Sequence, residues 1–246
     1  MDLPPPHLQR APALTGARTP FASLVLLATG FAIALFALSW WLVGSAMLLP
    51  VLGFGLGACI SGHFLLRHWT APRLGYANAL TLGRLALAAL MLLPLARPGL
   101  TEGASGWGFF CLALLTLALD GIDGPVARRS GLDGPWGARF DMEVDSVFAL
   151  LLAAVAWRSG AAGGWVLLLG SLRYLFVTAS MLWPWLTAPL PQRVRRKLVC
   201  VVQIAVLAAL LAPVAVPPWS EVAALLALAL LAWSFARDVL WLARRR

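Results

Sequence analysis

"WGFFCLALLTLALDGIDGPVARRSGLDGPWGARFDMEVDSVFALLLAAVAW", residues 107–157, is two apolar runs with a charged patch between them. The patch carries Asp120, Asp123, Asp133, Asp141, Glu143 and Asp145, six of the ten acidic residues in a chain of 246. The chain is 61% hydrophobic and 12% charged, about half the charged fraction of a soluble globular domain. Apolar runs of about 18 residues or more read as membrane-spanning helices. Eight such runs are predicted, at about 21–43, 45–66, 78–96, 107–127, 142–157, 164–186, 198–213 and 220–243, the fifth and seventh being short. The expected fold is all-α: a polytopic membrane helix bundle of about eight transmembrane helices.

The net charge of +9 is explained by topology rather than by nucleic acid, for which no partner role is expected. With eight spans both termini lie on one side. That side holds Arg10, Arg18, Arg67, Arg73, Arg128, Arg129, Arg139, Arg193, Arg195, Arg196, Lys197 and Arg244, Arg245 and Arg246, against Arg97 and Arg158 opposite. The positive-inside rule puts the richer side, and both termini, in the cytoplasm, with the bacterial cytoplasmic membrane the expected location. A basic rim there also attracts anionic membrane lipid. Residues 1–20 are Pro-rich and aperiodic and read as a cytoplasmic flexible tail. Cys59, Cys111 and Cys200 are isolated in apolar runs, so neither a zinc site nor a disulfide framework is indicated. The first two spans carry almost no polar chemistry. Residues 21–70 therefore read as an accessory transmembrane hairpin and 71–246 as a six-helix working unit. Gly53 and Gly57, four apart, give the hairpin a small-residue face for close packing against the core or a second subunit.

Asp120 and Asp123 are three apart at the end of the fourth span, and Asp141 and Asp145 four apart at the start of the fifth. Each pair shares a helix face. A loop of about a dozen residues between them makes the two helices antiparallel neighbours, so four carboxylates can converge. Clustered carboxylates repel unless offset, and hard divalent cations with oxygen ligands offset them. Two ions sharing carboxylates form a clamp suited to phosphoryl chemistry. Gly121, Gly124, Ala127 and Gly137 leave bare backbone where a polar ligand can approach, and Arg128 is a bidentate donor suited to phosphate. Asp133 reads as a turn residue. Glu143 is offset from the Asp141–Asp145 face.

The spacing Asp120-x2-Asp123-Gly124-x2-Ala127-Arg128-x8-Gly137-x3-Asp141-x3-Asp145 resembles the signature of the CDP-alcohol phosphotransferase family. "NALTLGRL", residues 78–85, resembles the entry to that family's first core helix: Asn78 and Thr81 match, while Ala77 stands where proline is usual. The resemblance covers 71–246 and implies an enzyme that splits the pyrophosphate of a CDP-linked donor, releases CMP and transfers a phosphoryl-alcohol unit to a hydroxyl. It implies Mg2+ or Mn2+ (two ions) held by Asp120, Asp123 and Asp141 with Asp145 close by, and Asp145 as general base. It implies a CDP pocket of Asn78, Thr81, Asp120, Gly124, Ala127, Arg128 and Gly137, and a homodimer.

The expected partners are a CDP-linked lipid donor, with CDP-diacylglycerol first, and an alcohol acceptor. The alternative polarity uses CDP-choline or CDP-ethanolamine as donor and diacylglycerol as acceptor. Members that make phosphatidylglycerol phosphate or cardiolipin carry a lysine before the third aspartate, then Asp-Pro, and a lysine after the last. Here Arg139, Met142 and Ser146 stand instead, which counts against those substrates. Arg84 and Arg173 are costly inside a membrane and imply a buried function or an ion pair. Together with Arg139 and Arg193 they are the candidate acceptor or headgroup contacts. A cation transporter with an acidic site is the remote rival, and the chain lacks the inverted repeats and broken helices that class shows.

Overall fold

The computed structural model describes residues 15–44, 48–68, 73–130, 135–188 and 194–245, with the side chains of all of these except 15–18, 68, 122–130 and 135. The described residues form nine α-helices: α1 (Thr15–Val43), α2 (Leu48–His68), α3 (Tyr76–Ala89), α4 (Leu92–Ala96), α5 (Gly103–Ser130), α6 (Pro135–Arg158), α7 (Leu167–Leu182), α8 (Val194–Ala209) and α9 (Trp219–Ala243). Among the described residues there is no strand.

α3 and α4 are one interrupted span. Pro94 has no N–H to give the carbonyl of Leu90, and its ring crowds that carbonyl. The chain responds with tighter bonds between residues three apart, Met91 N to Ala88 O at 3.0 Å and Leu93 N to Leu90 O at 3.0 Å. Three hydroxyls of α3, α5 and α6 find partners on their own helix. Thr81 Oγ1 donates to Ala77 O at 3.0 Å, Thr116 Oγ1 to Leu112 O at 2.8 Å and Ser146 Oγ to Met142 O at 2.7 Å, as an apolar medium requires.

Six segments are long and apolar enough to cross a membrane: Thr19–Val43, Leu48–Arg67, Tyr76–Ala96, Gly103–Gly121, Gly164–Leu182 and Trp219–Ala243. The two missing from the expected eight fail for different reasons. α8 has 16 residues, about 24 Å at the helical rise, short of a hydrocarbon core of about 30 Å. α6 has 24 residues but begins with Arg139, Asp141, Glu143 and Asp145. Its apolar part is buried in protein: Val144, Phe148, Leu152, Ala153, Val155 and Ala156 all belong to the core. α3 and α6 are the inner helices, in contact with each other, and α5, α7 and α8 pack around them.

Two boundaries differ from the sequence reading. Helix begins at Thr15, so Pro20 falls inside α1 and the proposed tail of residues 1–20 is shorter; its residues 1–14 lie outside the described residues. The loop of about a dozen residues is not there either. α5 stays helical to Ser130 and α6 starts at Pro135, where a proline's fixed φ suits a first helical turn.

The Gly53–Gly57 face of α2 packs on the core. A Cβ on Gly57 would lie 3.0 Å from Leu85 Cδ2, and one on Gly53 2.5 Å from Leu92 Cδ1. Phe31 of α1 and Phe54 of α2 meet edge to face at 6.3 Å. The α6–α7 contact is backbone on backbone: a Cβ on Gly170 would sit 2.6 Å from Leu150 Cα and 2.9 Å from Ala149 O. Backbone cannot swing aside as a side chain can, so Gly170→Ala should force the two helices apart. We expect a loss of about 1–3 kcal/mol, the usual cost of overpacking, seen as a lower melting temperature in detergent. An unchanged melting temperature would mean that α7 can slide on α6 freely.

Candidate metal centre and active site

Asp120, Asp141 and Asp145 come together. One carboxylate oxygen from each lies within 4.8 Å of the others. α5 supplies the first and α6 the other two, and α3 faces both helices. The cluster is sunk among the helices. Arg84 is eight residues from the start of α3, Asp120 ten from the end of α5, and Asp145 ten from the start of α6. Those are separations of about 12–15 Å along each helix from its end. The aspartate side chains are 14%, 34% and 30% exposed in chain order, against 1% for Arg84.

Arg84 reaches all three. Its Nη1 donates to Asp141 Oδ1 at 2.6 Å, and its Nη2 donates to Asp145 Oδ1 and lies 3.0 Å from Asp120 Oδ1. Of the two readings the sequence allows for Arg84, a headgroup contact or a pair with the aspartates, the placement favours the pair: the side chain is turned into the carboxylates and is 1% exposed. Three carboxylates and one guanidinium leave a formal charge of −2 in a half-buried space. The donor set is all oxygen, and it fits one hard divalent cation by charge and by ligand type.

The same α3 face continues outward through Thr81 and Asn78, both buried. Asn78 Nδ2 donates to Leu74 O. Gly137 lies directly against Asn78, where a Cβ would be 2.6 Å from Asn78 Oδ1. Two residues read separately, as an α3 entry motif and as bare backbone before Asp141, are therefore one contact. Gly121 behaves otherwise. It is exposed, with open space where its Cβ would be. The side chains of Asp123, Gly124, Ala127 and Arg128, with residues Asp133 and Arg193, lie outside the described residues.

Arg139 is exposed on the first turns of α6. Arg173 of α7 donates from Nη2 to Glu143 and from Nη1 to Met142 O at 3.1 Å. It ties α7 to α6 on the side of the helix away from the cluster, which gives Glu143 a partner the sequence did not indicate. Asp238 was passed over in the sequence. It lies buried in α9 and accepts from Arg195 Nη2 at 2.7 Å, while Arg195 Nη1 donates to Ser234 Oγ at 2.7 Å. Arg196 Nε stands 3.8 Å from the same carboxylate. An acid inside an apolar helix needs a cation, and that was the available signal.

A family model described as CDP-alcohol phosphatidyltransferase matches residues 74–235. Among curated proteins, cholinephosphotransferase 1 of Gallus gallus is 36% identical over 124 residues, covering 43% of this chain and 37% of that protein. Cholinephosphotransferase 1 of Xenopus laevis and of Bos taurus are each 37% identical over 106 residues, covering 40% of this chain and 25% of theirs. The chain thus spans little more than a third of these relatives at most. No solved structure matches it significantly.

Proposed function

The chain belongs to the CDP-alcohol phosphatidyltransferase family, and we propose that it moves a phosphoalcohol group from a CDP-linked alcohol to the hydroxyl of a membrane lipid such as diacylglycerol, with release of CMP. The observation that carries this is the convergence of Asp120, Asp141 and Asp145 inside the region that the family model matches. The polarity reverses the sequence preference for CDP-diacylglycerol as donor. Its support is the relatives, whose names specify transfer of a phosphocholine unit, and the absence here of the lysines and proline that mark phosphatidylglycerol phosphate and cardiolipin synthesis.

In the proposed reaction the lipid hydroxyl oxygen attacks the β-phosphorus of the donor. The bond from that phosphorus to the bridging oxygen breaks, and CMP carries the electron pair away. Asp145 takes the hydroxyl proton. Asp120, Asp123 and Asp141, with Asp145 beside them, would hold Mg2+ or Mn2+, in the family pattern two ions. Bound there, the metal would offset charge that develops on the phosphoryl and bridging oxygens. Asn78, Thr81, Asp120, Gly124, Ala127, Arg128 and Gly137 would take the CDP unit, as the family pattern implies.

The chain is a membrane protein. That both termini face the cytoplasm, that it works as a homodimer, and that residues 21–70 are an accessory hairpin belong to the same proposal. The relatives are vertebrate proteins and lend no support to a bacterial membrane. Metal dependence gives the first test. Excess chelator should abolish CMP release by the purified protein, and Mg2+ or Mn2+ should restore it. Full turnover in chelator would overturn the metal-assisted mechanism. Protein lacking residues 1–70 should keep its maximal rate while losing stability; a folded truncation without activity would make the hairpin part of the site.

A further inference from the structure

Arg84 takes no part in the transfer steps derived above, yet among the described residues it is the most buried charged side chain. Its two terminal nitrogens meet the Oδ1 atoms of Asp120, Asp141 and Asp145, which come from two helices and lie up to 61 residues away in sequence. We propose that Arg84 is a positioning residue that serves as the resident cation of the carboxylate cluster: it holds the three aspartates together before any divalent ion arrives, and the ion then competes with it for the same oxygens. This rests on the reading of the cluster as a metal centre.

The charge balance makes the case. Without Arg84 three partly buried carboxylates would face one another at formal charge −3, and like charges at that range push helices apart. With it the cluster stands at −2. The guanidinium suits this task better than an ammonium, because its planar fork can meet several carboxylates at once and it does not lose its proton. The same permanent charge opposes an incoming cation. Arg84 therefore stabilises the empty bundle and weakens metal binding to it, two effects of opposite sign from one residue. A residue that merely packed α3 against α5 and α6 would produce only the first.

The test is direct binding of Mn2+ to the purified, nucleotide-free protein, followed by the electron spin resonance of free Mn2+, together with melting in chelator and in saturating Mn2+. The unaltered protein should bind Mn2+ and should stay folded in chelator, melting only a few degrees lower there. Arg84→Gln should bind Mn2+ roughly tenfold more tightly or better, since a unit charge a few ångströms away is removed, and its melting should become strongly dependent on Mn2+. Arg84→Lys keeps the charge but loses the fork; its affinity should fall between the two, and it decides the matter if the glutamine variant does not fold. A variant that folds and binds Mn2+ no more tightly than the unaltered protein overturns the proposal and leaves the metal reading intact. So does an unaltered protein that unfolds in chelator. No Mn2+ binding by the unaltered protein overturns the metal reading itself, and this proposal with it.

Discussion

Asp141→Ala is expected to remove metal binding and activity together, with CMP release falling by roughly 10³-fold or more, which corresponds to the several kcal/mol a metal supplies at a transferring phosphoryl group. Asp141 is one of the three converging acids: its oxygen lies within 4.8 Å of those of Asp120 and Asp145, and it takes the Nη1 hydrogen bond of Arg84 at 2.6 Å. Alanine deletes one of three described oxygen donors. It also leaves half of a buried guanidinium without its carboxylate, which is costly in itself. Asp141→Asn separates the two effects. It keeps the shape and an oxygen for Arg84, so the fold should survive while metal affinity and CMP release still drop. Calorimetric Mn2+ titration beside the CMP assay makes the comparison. An asparagine variant with unaltered Mn2+ affinity would remove Asp141 from the ligand set.

Asp145→Asn should behave differently. Nucleotide binding should persist, because the other acids and the Asn78–Gly137 contact remain. Transfer should slow by roughly 10²–10⁴-fold, the usual worth of a general base. Asp145 lies four residues beyond Asp141 on α6, one turn deeper and beside Arg84. In the proposed mechanism it is the acid that takes the proton of the lipid hydroxyl. The relevant measurements are nucleotide affinity and single-turnover CMP release on the same preparation. Near-normal turnover would cancel the base assignment. A parallel collapse of affinity and rate would recast Asp145 as a ligand alone.

The apolar runs made the bundle legible, because lipid demands long uninterrupted hydrophobic helices and the sequence shows them. The pairs Asp120–Asp123 and Asp141–Asp145 made the site legible, because helical spacing alone puts each pair on one face. What escaped depends on tertiary packing. Arg84 reads in the sequence as a costly charge with two outcomes, a headgroup contact or a pair with the aspartate cluster; packing decides between them, since its partners arrive from α5 and α6. The Asp238–Arg195 pair hid for the same reason, one member being in α8 and the other in α9. The loop of about a dozen residues expected between the aspartate pairs is largely helix among the described residues, α5 running to Ser130 and α6 starting at Pro135. α6 reads in the sequence as a short span at 142–157 because its first turns carry charge, and burial of its apolar part among protein neighbours is what makes it tolerable.

The central claim is the transfer itself and its direction. It is tested most directly by offering purified protein radiolabelled CDP-choline or CDP-ethanolamine with diacylglycerol, and in parallel CDP-diacylglycerol with a panel of soluble alcohols, and following label into CMP and lipid. The account predicts metal-dependent CMP release with label entering lipid from the CDP-choline or CDP-ethanolamine pair. Turnover only with CDP-diacylglycerol would contradict the proposed direction, and no CMP from either pair would contradict the account as a whole.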